Sequence, residues 1–305
     1  MLSSEDLRFF ALLARQGNLA AAARALGVTP PAVTQRLQAL EARVGLRLLD
    51  RSTRRAAPTA EGELLLAEAG ALLQRLDALG DDLRARGGRV AGELKLVAPF
   101  GFGRRHAAPL LAAFQARHPG LRASLALSER PASDTLEGHD LALHIGLLRD
   151  SSLIAFRLAE NARLLCAAPA YLRRAGRPKR PEDLRAHACL VIRENDEDVT
   201  VWRFRRGGQS AALRVNPALA SNDGEVVRDW ALAGRGIAIR SEWDVAHHLA
   251  AGRLVRVLPG YTLPEAPVVA LVAARRGLTA RSRAFIDFLR ERLSPPPWRR
   301  PGAAG

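Results

Sequence analysis

The chain has 305 residues, a mass of 33.0 kDa, 48% hydrophobic residues and 25% charged residues, which is typical of a soluble globular protein with two or three domains. No segment approaches the roughly 20 apolar residues that cross a bilayer, and residues 1–6 lack the basic and apolar features of a signal peptide, so we expect a cytoplasmic protein with no membrane partner. The net charge of +15 is spread along the chain and carried almost entirely by Arg, so charge alone does not identify a nucleic-acid-binding protein.

Two short helices joined by a tight turn are predicted between residues 18 and 44. Gly27 favours the left-handed conformation that ends a helix, and Thr29 followed by Pro30 is a typical start for the next one. In the second helix, apolar residues recur at spacings of four, three and four, which predicts one buried face. They are Val33, Leu37, Leu40 and Val44. The polar residues between them point outward, as in the recognition helix of a helix-turn-helix protein.

A short basic hairpin, or wing, is predicted after this helix pair. Leu48 and Leu49 can anchor it, and residues 51–55 carry three guanidinium groups and two hydroxyls that suit phosphate or minor-groove contact. A helix pair alone could be an ordinary surface hairpin, but a helix pair with a basic wing is a more specific DNA-binding pattern. We therefore expect a DNA-binding domain over residues 1–58. Its expected contacts with double-stranded DNA are Thr29, Pro31, Thr34, Gln35, Arg36, Gln38, Arg51, Ser52, Thr53, Arg54 and Arg55.

One long helix is predicted over residues 59–88. Its apolar residues repeat at alternating spacings of four and three, which is the pattern of a coiled-coil seam. They are Leu65, Ala69, Leu72, Leu76, Leu79 and Leu83. The helix could pack on its own domain, but a narrow seam with charged flanks favours pairing with a second copy. We therefore expect a homodimer or homotetramer, with the five leucines of the seam at the contact.

Residues 89–293 alternate between strand-like and helical patterns. The strand-like runs are residues 94–98, 121–127, 141–145, 189–192, 236–239 and 268–273, and the main helical runs are residues 104–117, 224–233, 241–249 and 279–293. This alternation is typical of largely parallel sheets with helices on both faces, and a segment of about 200 residues fits two lobes better than one. Residues 294–305 are rich in Pro and are predicted to form a disordered tail.

The N-terminal motifs resemble those of the LysR-type transcriptional regulators. The matching positions are residues 21–23, Leu26, residues 31–34, Leu40, Glu41, Gly45, Leu48, Arg51 and residues 59–62. The resemblance implies an α plus α/β fold: a winged helix-turn-helix, a dimerising linker helix and a C-terminal domain of two periplasmic-binding-protein-like lobes, with chain crossings near residues 160–168 and 262–268. It also implies a sequence-specific regulator that binds an operator with approximate dyad symmetry and an effector between the lobes.

Two loops of the C-terminal domain have the features of an anion-binding site. Residues 99–105 and 221–224 each lead into a helix, where free backbone N–H groups favour anions. We therefore expect a small anionic effector, such as a carboxylate or hydroxy acid, although ordinary capping and turn formation is an alternative for both loops. The expected effector contacts are Phe100, Gly101, Phe102, Gly103, Ser128, His144, Ser221 and Asn222.

Other functional classes find less support in the sequence. No metal-ligand spacing, phosphate-binding loop or catalytic triad can be recognised, so no enzyme activity, metal or cofactor is expected. The wing motif and the lack of a signal peptide disfavour a solute-binding receptor without DNA function. Cys166 and Cys189 lie in apolar contexts, which is typical of buried structural cysteines; a redox switch is the alternative.

Overall fold

The structure is a computed structural model that describes residues 2–50, 57–86, 90–135, 138–146, 148, 153–193, 199–274 and 278–300. The chain forms two compact units, an N-terminal unit made chiefly of residues 1–83 and a C-terminal unit made chiefly of residues 84–274 and 278–305. No helix in the described ranges combines the length and the low charge needed to span a bilayer.

The N-terminal unit begins with three helices, a two-stranded sheet and a long helix. They are α1 (Ser4–Gln16), α2 (Leu19–Leu26), α3 (Pro30–Val44), β1 (Leu49–Asp50), β2 (Ala57–Pro58) and α4 (Ala60–Arg86). Asn18 caps α2 by accepting a hydrogen bond from the Ala21 amide at 2.6 Å, and Gly27 ends that helix at φ 67°. Thr29 occupies the cap position of α3 without a side-chain hydrogen bond, so Pro30 sets the start of that helix.

Apolar residues from α1, α2 and α3 form the core of the N-terminal unit. Val33, Leu37 and Leu40 are fully buried, as the spacing predicted, and pack with Phe10 and Leu13. Leu48 and Leu49 are also buried in this core.

The turn into α4 is fixed by Glu41 and Thr59. One Glu41 carboxylate oxygen accepts from the Leu48 amide at 2.9 Å and the Leu49 amide at 3.3 Å. The Thr59 hydroxyl donates to the Arg47 carbonyl and accepts from the Gly62 amide. A Cβ at Gly62 would collide with the Leu48 carbonyl, which explains why glycine follows three residues after the threonine.

The C-terminal unit contains two five-stranded sheets. In chain order its elements begin with β3 (Gly92–Pro99), α5 (Phe100–Phe102), a π-helical turn (Gly103–Ala107), α6 (Ala108–Arg117), β4 (Leu121–Ser128), α7 (Pro131–Thr135), β5 (Leu141–Ile145), β6 (Leu153–Ala159), β7 (Arg163–Ala167), α8 (Pro169–Ala175), a 3-10 helix (Pro181–Ala186) and β8 (Cys189–Ile192). They continue with β9 (Val201–Arg206), β10 (Gln209–Arg214), β11 (Pro217–Ser221), α9 (Gly224–Leu232), β12 (Ile237–Ser241), α10 (Glu242–Ala250), β13 (Val255–Arg256), β14 (Val268–Ala273), α11 (Ala280–Leu293) and a 3-10 helix (Pro297–Arg299).

Each sheet defines one lobe. Lobe I has the strand order β4-β3-β5-β14-β6, and lobe II has the order β11-β8-β12-β7-β13. The expectation of largely parallel sheets is only partly correct, because β14 runs antiparallel to β5 and β6, and β7 runs antiparallel to β12 and β13. These antiparallel strands are the ones that adjoin the crossings between lobes.

The chain crosses between the lobes twice, after β6 and after β13, in agreement with the two crossings that the resemblance implied. Buried Asn161 connects the two crossing segments, since its Nδ2 donates to the Ala266 carbonyl at 2.7 Å. Its Oδ1 accepts from the Trp243 amide at 3.2 Å. The amide of Asn161 thus joins both crossings to the start of α10.

The prediction of a disordered tail is wrong for residues 294–300, which fold back onto the C-terminal unit; residues 301–305 lie outside the described ranges. Trp298 packs against the core of lobe I, and Arg299 forms two hydrogen bonds with Glu242. The Pro-rich composition indicated disorder, but one aromatic side chain and one bidentate ion pair compensate for the entropy of ordering so short a segment.

Candidate DNA-binding and effector-binding sites

The outer face of α3 presents the polar residues that the sequence singled out. The side chains of Gln35 and Gln38 are exposed and make no hydrogen bond within the described ranges. The Thr34 hydroxyl donates to the Pro30 carbonyl at 3.1 Å, so it is partly occupied within the helix. Thr29 and Pro31 are exposed at the start of α3. The predicted wing contacts, Arg51, Ser52, Thr53, Arg54 and Arg55, lie outside the described residues.

Arg36 differs from the two glutamines because it has partners within its own unit. Its guanidinium lies over the Phe9 ring at 4.7 Å from the centroid and donates to the Glu5 carbonyl at 3.4 Å. Replacing Arg36 would therefore remove packing on α1 as well as any contact with DNA. Gln35 is the cleaner probe of the recognition helix.

The apolar seam of α4 is exposed over its middle. Leu72, Leu76 and Leu79 are 54%, 49% and 56% exposed, respectively. Leu65 is instead half-buried against the N-terminal core, because the first turns of α4 pack on the helix pair, so the structure assigns it to the core of its own unit. The side chain of Leu83 lies outside the described part of the chain. The exposed stripe therefore consists of Leu72, Leu76 and Leu79.

A cavity of about 130 Å³ lies between lobes I and II of the C-terminal unit. Gly101 and Phe102 from lobe I and Trp202 and Trp243 contribute apolar wall, and Arg163, Arg203 and Arg240 contribute guanidinium groups. No Asp or Glu side chain belongs to the described lining. The cavity is therefore cationic, with flat apolar walls.

Arg240 is the most buried of these cations, with 5% of its surface exposed. Its Nε donates to Asp244 Oδ2 at 2.9 Å, while Arg228 donates to the other oxygen of the same carboxylate at 2.8 Å. The terminal nitrogens of Arg240 have no protein hydrogen bond within the described ranges and reach the cavity wall. A Cβ at Gly224 would collide with them. They consequently lie beside the N-terminus of α9, where backbone N–H groups add to the positive potential.

Arg163 approaches the cavity from β7 and lies close to His144. Its guanidinium has no carboxylate partner in the described part of the chain. His144 is 3% exposed, and burial together with the charge of Arg163 lowers its pKa from 6.5 to about 4. His144 is therefore neutral near pH 7. The cationic group at this end of the cavity is Arg163, which sequence reasoning did not identify.

Only two of the eight expected effector residues, Gly101 and Phe102, belong to the cavity wall. Gly103 packs under Leu127, and Phe100 and His144 lie outside the lining. The hydroxyls of Ser128 and Ser221 accept from the amides of residues 130 and 223, respectively. Asn222 donates to Glu129 at 2.6 Å. The turn-forming alternative therefore describes both serines, because each hydroxyl binds the backbone of its own loop.

Arg104, which belongs to the loop of residues 99–105, links the two lobes. It donates to Asp223 and Glu225, with distances of 2.7 Å to each, and these bonds raise its pKa. Its charge is compensated by two carboxylates, so it is not available to a ligand. The guanidinium groups that line the cleft in the described part of the chain are those of Arg163, Arg203 and Arg240 instead.

The two cysteines are unpaired and buried. Burial raises the pKa of each thiol to about 12, so neither is a thiolate at neutral pH, and a redox role finds no support. Among the described residues, no three His, Cys, Asp or Glu side chains are placed to hold a metal ion.

Comparisons with known proteins cover nearly the whole chain. A family model described as the bacterial regulatory helix-turn-helix protein, lysR family, matches residues 4–63, and one described as the LysR substrate binding domain matches residues 87–294. The chain is 41% identical to the HTH-type transcriptional regulator DmlR of Escherichia coli K12, covering 94% of this chain and 93% of that protein. It is 35% identical to the HTH-type transcriptional activator TtdR of the same strain, covering 96% of each.

A solved structure shows the same architecture. The LysR-type transcriptional regulator CrgA from Neisseria meningitidis superposes with a TM-score of 0.60 at 30% identity, covering 96% of this chain and 99% of that one.

Proposed function

Because the chain belongs to the LysR-type transcriptional regulators, we propose that α3 reads an operator with approximate dyad symmetry and that a small carboxylate in the interlobe cavity modulates this binding. The protein is a DNA-binding transcriptional regulator with an effector-binding domain. Regulation of chromosomal genes would take place in the cytoplasm.

The proposal of an anionic effector rests on the charged side chains that line the cavity. Arg163, Arg203 and Arg240 line it, and the described wall contributes no carboxylate. Arg163 has no carboxylate partner in the described part of the chain. Arg240 pairs with Asp244 through Nε only, so its terminal N–H groups remain without a protein hydrogen bond within the described ranges, and a bidentate carboxylate matches the geometry of such groups. A ligand with one carboxylate near Arg240 and a second acidic or hydroxyl group near Arg163 would accept hydrogen bonds from both guanidinium groups.

The same cavity disfavours cationic and large ligands. Its volume of about 130 Å³ is small, and Trp202 and Trp243 provide flat walls that exclude water. Effectors of a few carbon atoms therefore fit best. Ligand binding would act on DNA affinity only to the extent that the effector binds one arrangement of the protein more tightly than another.

For DNA binding, the support comes from the exposed face of α3. Gln35 and Gln38 have free amide groups, and such amides pair with the N6 and N7 edge of adenine in the major groove. Thr34 and Arg36 are proposed to assist from the same face. Arg51, Arg54 and Arg55 are proposed to contact phosphates, with Ser52 and Thr53 beside them.

We expect Arg163→Met to abolish stabilisation by small organic acids. Thermal-shift measurements on the full chain with a panel of mono- and dicarboxylates should find acids that raise the melting temperature of the wild type, since a ligand that binds only the folded state stabilises it. In Arg163→Met the shift should disappear, because the replacement keeps the apolar stem and removes the charge.

Arg205→Met is the matched control. Arg205 is exposed on β9 and is not part of the cavity lining, so this variant should retain the full ligand-induced shift. Hits restricted to cationic or purely apolar compounds, or hits that persist in Arg163→Met, would show that the cavity is not an anion site.

A further inference from the structure

The C-terminal strap, residues 294–300, contacts both lobes. Within it, Trp298 lies at 5.4 Å from the His106 ring centroid and 6.4 Å from the Phe102 ring centroid, both in edge-to-face arrangements. Phe102 and His106 belong to the helical segment that follows β3 in lobe I. The strap therefore packs on the segment that forms one wall of the effector cavity.

The aromatic contacts continue from the strap to the cavity itself. Phe102 contacts Trp243 edge-to-face at 5.4 Å, and both side chains line the cavity. A Cβ at Gly101 would lie 3.1 Å from the Trp243 ring, so that ring has little room on the cavity side. A shift of Trp298 would consequently be transmitted through Phe102 to Trp243 by direct packing.

The second anchor of the strap binds the start of α10, which continues directly from the lobe II sheet. Arg299 donates to both oxygens of Glu242, at 2.9 and 2.7 Å, and this pairing raises the pKa of Arg299. Glu242 also accepts from the amide of Ala162 at 3.3 Å, in the first crossing between lobes. One carboxylate thus connects the strap, the hinge and the helix that carries Trp243.

We propose that the C-terminal strap is a positioning element of the effector cavity, with Trp298 holding the lobe I wall and Arg299 holding the start of α10. The inference builds on the proposed effector site, but the strap contacts stand independently of the ligand's identity. Without the strap contacts, the two cavity walls are less well ordered. Ligand binding must then order them, and this cost lowers the affinity for the ligand.

To test this, effector affinity is measured in Trp298→Ala and in Arg299→Ala by titrating the full chain with malonate, a small dicarboxylate probe, and following Trp fluorescence. Each variant should bind malonate about tenfold more weakly than the wild type. Trp298→Phe, which keeps an aromatic ring against Phe102, should restore most of the affinity. Arg300→Ala is the matched control, because among the described residues the Arg300 side chain hydrogen-bonds to the carbonyls of Pro295 and Arg292 and not to the cavity wall or α10.

Hydrogen–deuterium exchange without ligand tests the same proposal independently of effector class. Faster exchange in residues 100–107 and 242–250 of Trp298→Ala and Arg299→Ala, with wild-type rates in Arg300→Ala, supports the strap even if malonate does not bind. In that case only the proposed ligand class fails. Wild-type exchange in both segments, or wild-type malonate affinity in both variants, overturns the proposal, as does a loss of affinity that Trp298→Phe does not restore.

Discussion

Asp244→Ala is expected to lower the free energy of unfolding of the C-terminal unit by about 3–5 kcal/mol, the range for removing one partner of a buried ion pair. Asp244 has no exposed surface and accepts from Arg228 at 2.8 Å and from Arg240 at 2.9 Å. Without its carboxylate, Arg240 loses its counterion while it is almost fully buried, and Arg228 keeps only its weaker pairings with Glu225 and Asp229.

Urea denaturation followed by Trp fluorescence is the appropriate measurement, because residues 202, 230, 243 and 298 are the four Trp of the chain and all lie in the C-terminal unit. The matched control is Asp229→Ala: Asp229 pairs with the same Arg228 but its side chain is 62% exposed, so its loss should cost about 0–1 kcal/mol. If Asp244→Ala cost no more than Asp229→Ala, the buried network would not stabilise the fold as inferred.

Leu76→Asp is expected to convert the protein to monomers and to abolish specific operator binding. Leu76 is 49% exposed in the middle of the α4 stripe, between Leu72 and Leu79, so it is free to pack against a second copy. A charge in such a seam would have to be buried without a partner. If the operator has the two half-sites proposed above, each bound by one recognition helix, loss of the dimer also removes most of the operator affinity.

Sedimentation velocity and gel shift on the same preparation test this expectation. Leu64→Asp is the matched control, since Leu64 is 66% exposed on the same helix but lies off the seam, and this variant should remain associated. A dimer or larger oligomer of Leu76→Asp with intact operator binding would place the interface elsewhere on the chain.

Local patterns were sufficient to predict much of the fold. The buried face of α3 and the strands β5, β8 and β14 follow directly from short-range spacing, because side-chain periodicity determines which residues are buried. The β9–β10 hairpin was missed although it had a signal: Trp202 and Phe204 alternate with Arg residues, and a Gly207-Gly208 turn follows, a pattern typical of a two-residue hairpin loop.

The effector cavity was harder to predict. Arg163 and Arg240 come from strands of lobe II and meet Gly101 and Phe102 of lobe I only in the folded protein. In a chain so rich in Arg, nothing in the local sequence distinguishes these two from exposed ones. The hydroxyls of Ser128 and Ser221 could have bound a ligand, but each accepts a hydrogen bond from the backbone of its own loop. Residue spacing in the sequence does not show which of these two roles a hydroxyl takes.

The most direct test of the regulator function is footprinting of the DNA upstream of the protein's own gene, with the wild type and with Gln35→Ala. The wild type should protect two dyad-related half-sites separated by whole turns of the DNA helix. Gln35→Ala should weaken that protection by about 1–3 kcal/mol, since its exposed amide has no role in packing the N-terminal unit. Equal protection of unrelated DNA by the wild type, or unchanged half-site affinity in Gln35→Ala, would contradict the assignment of α3 as the element that reads the operator.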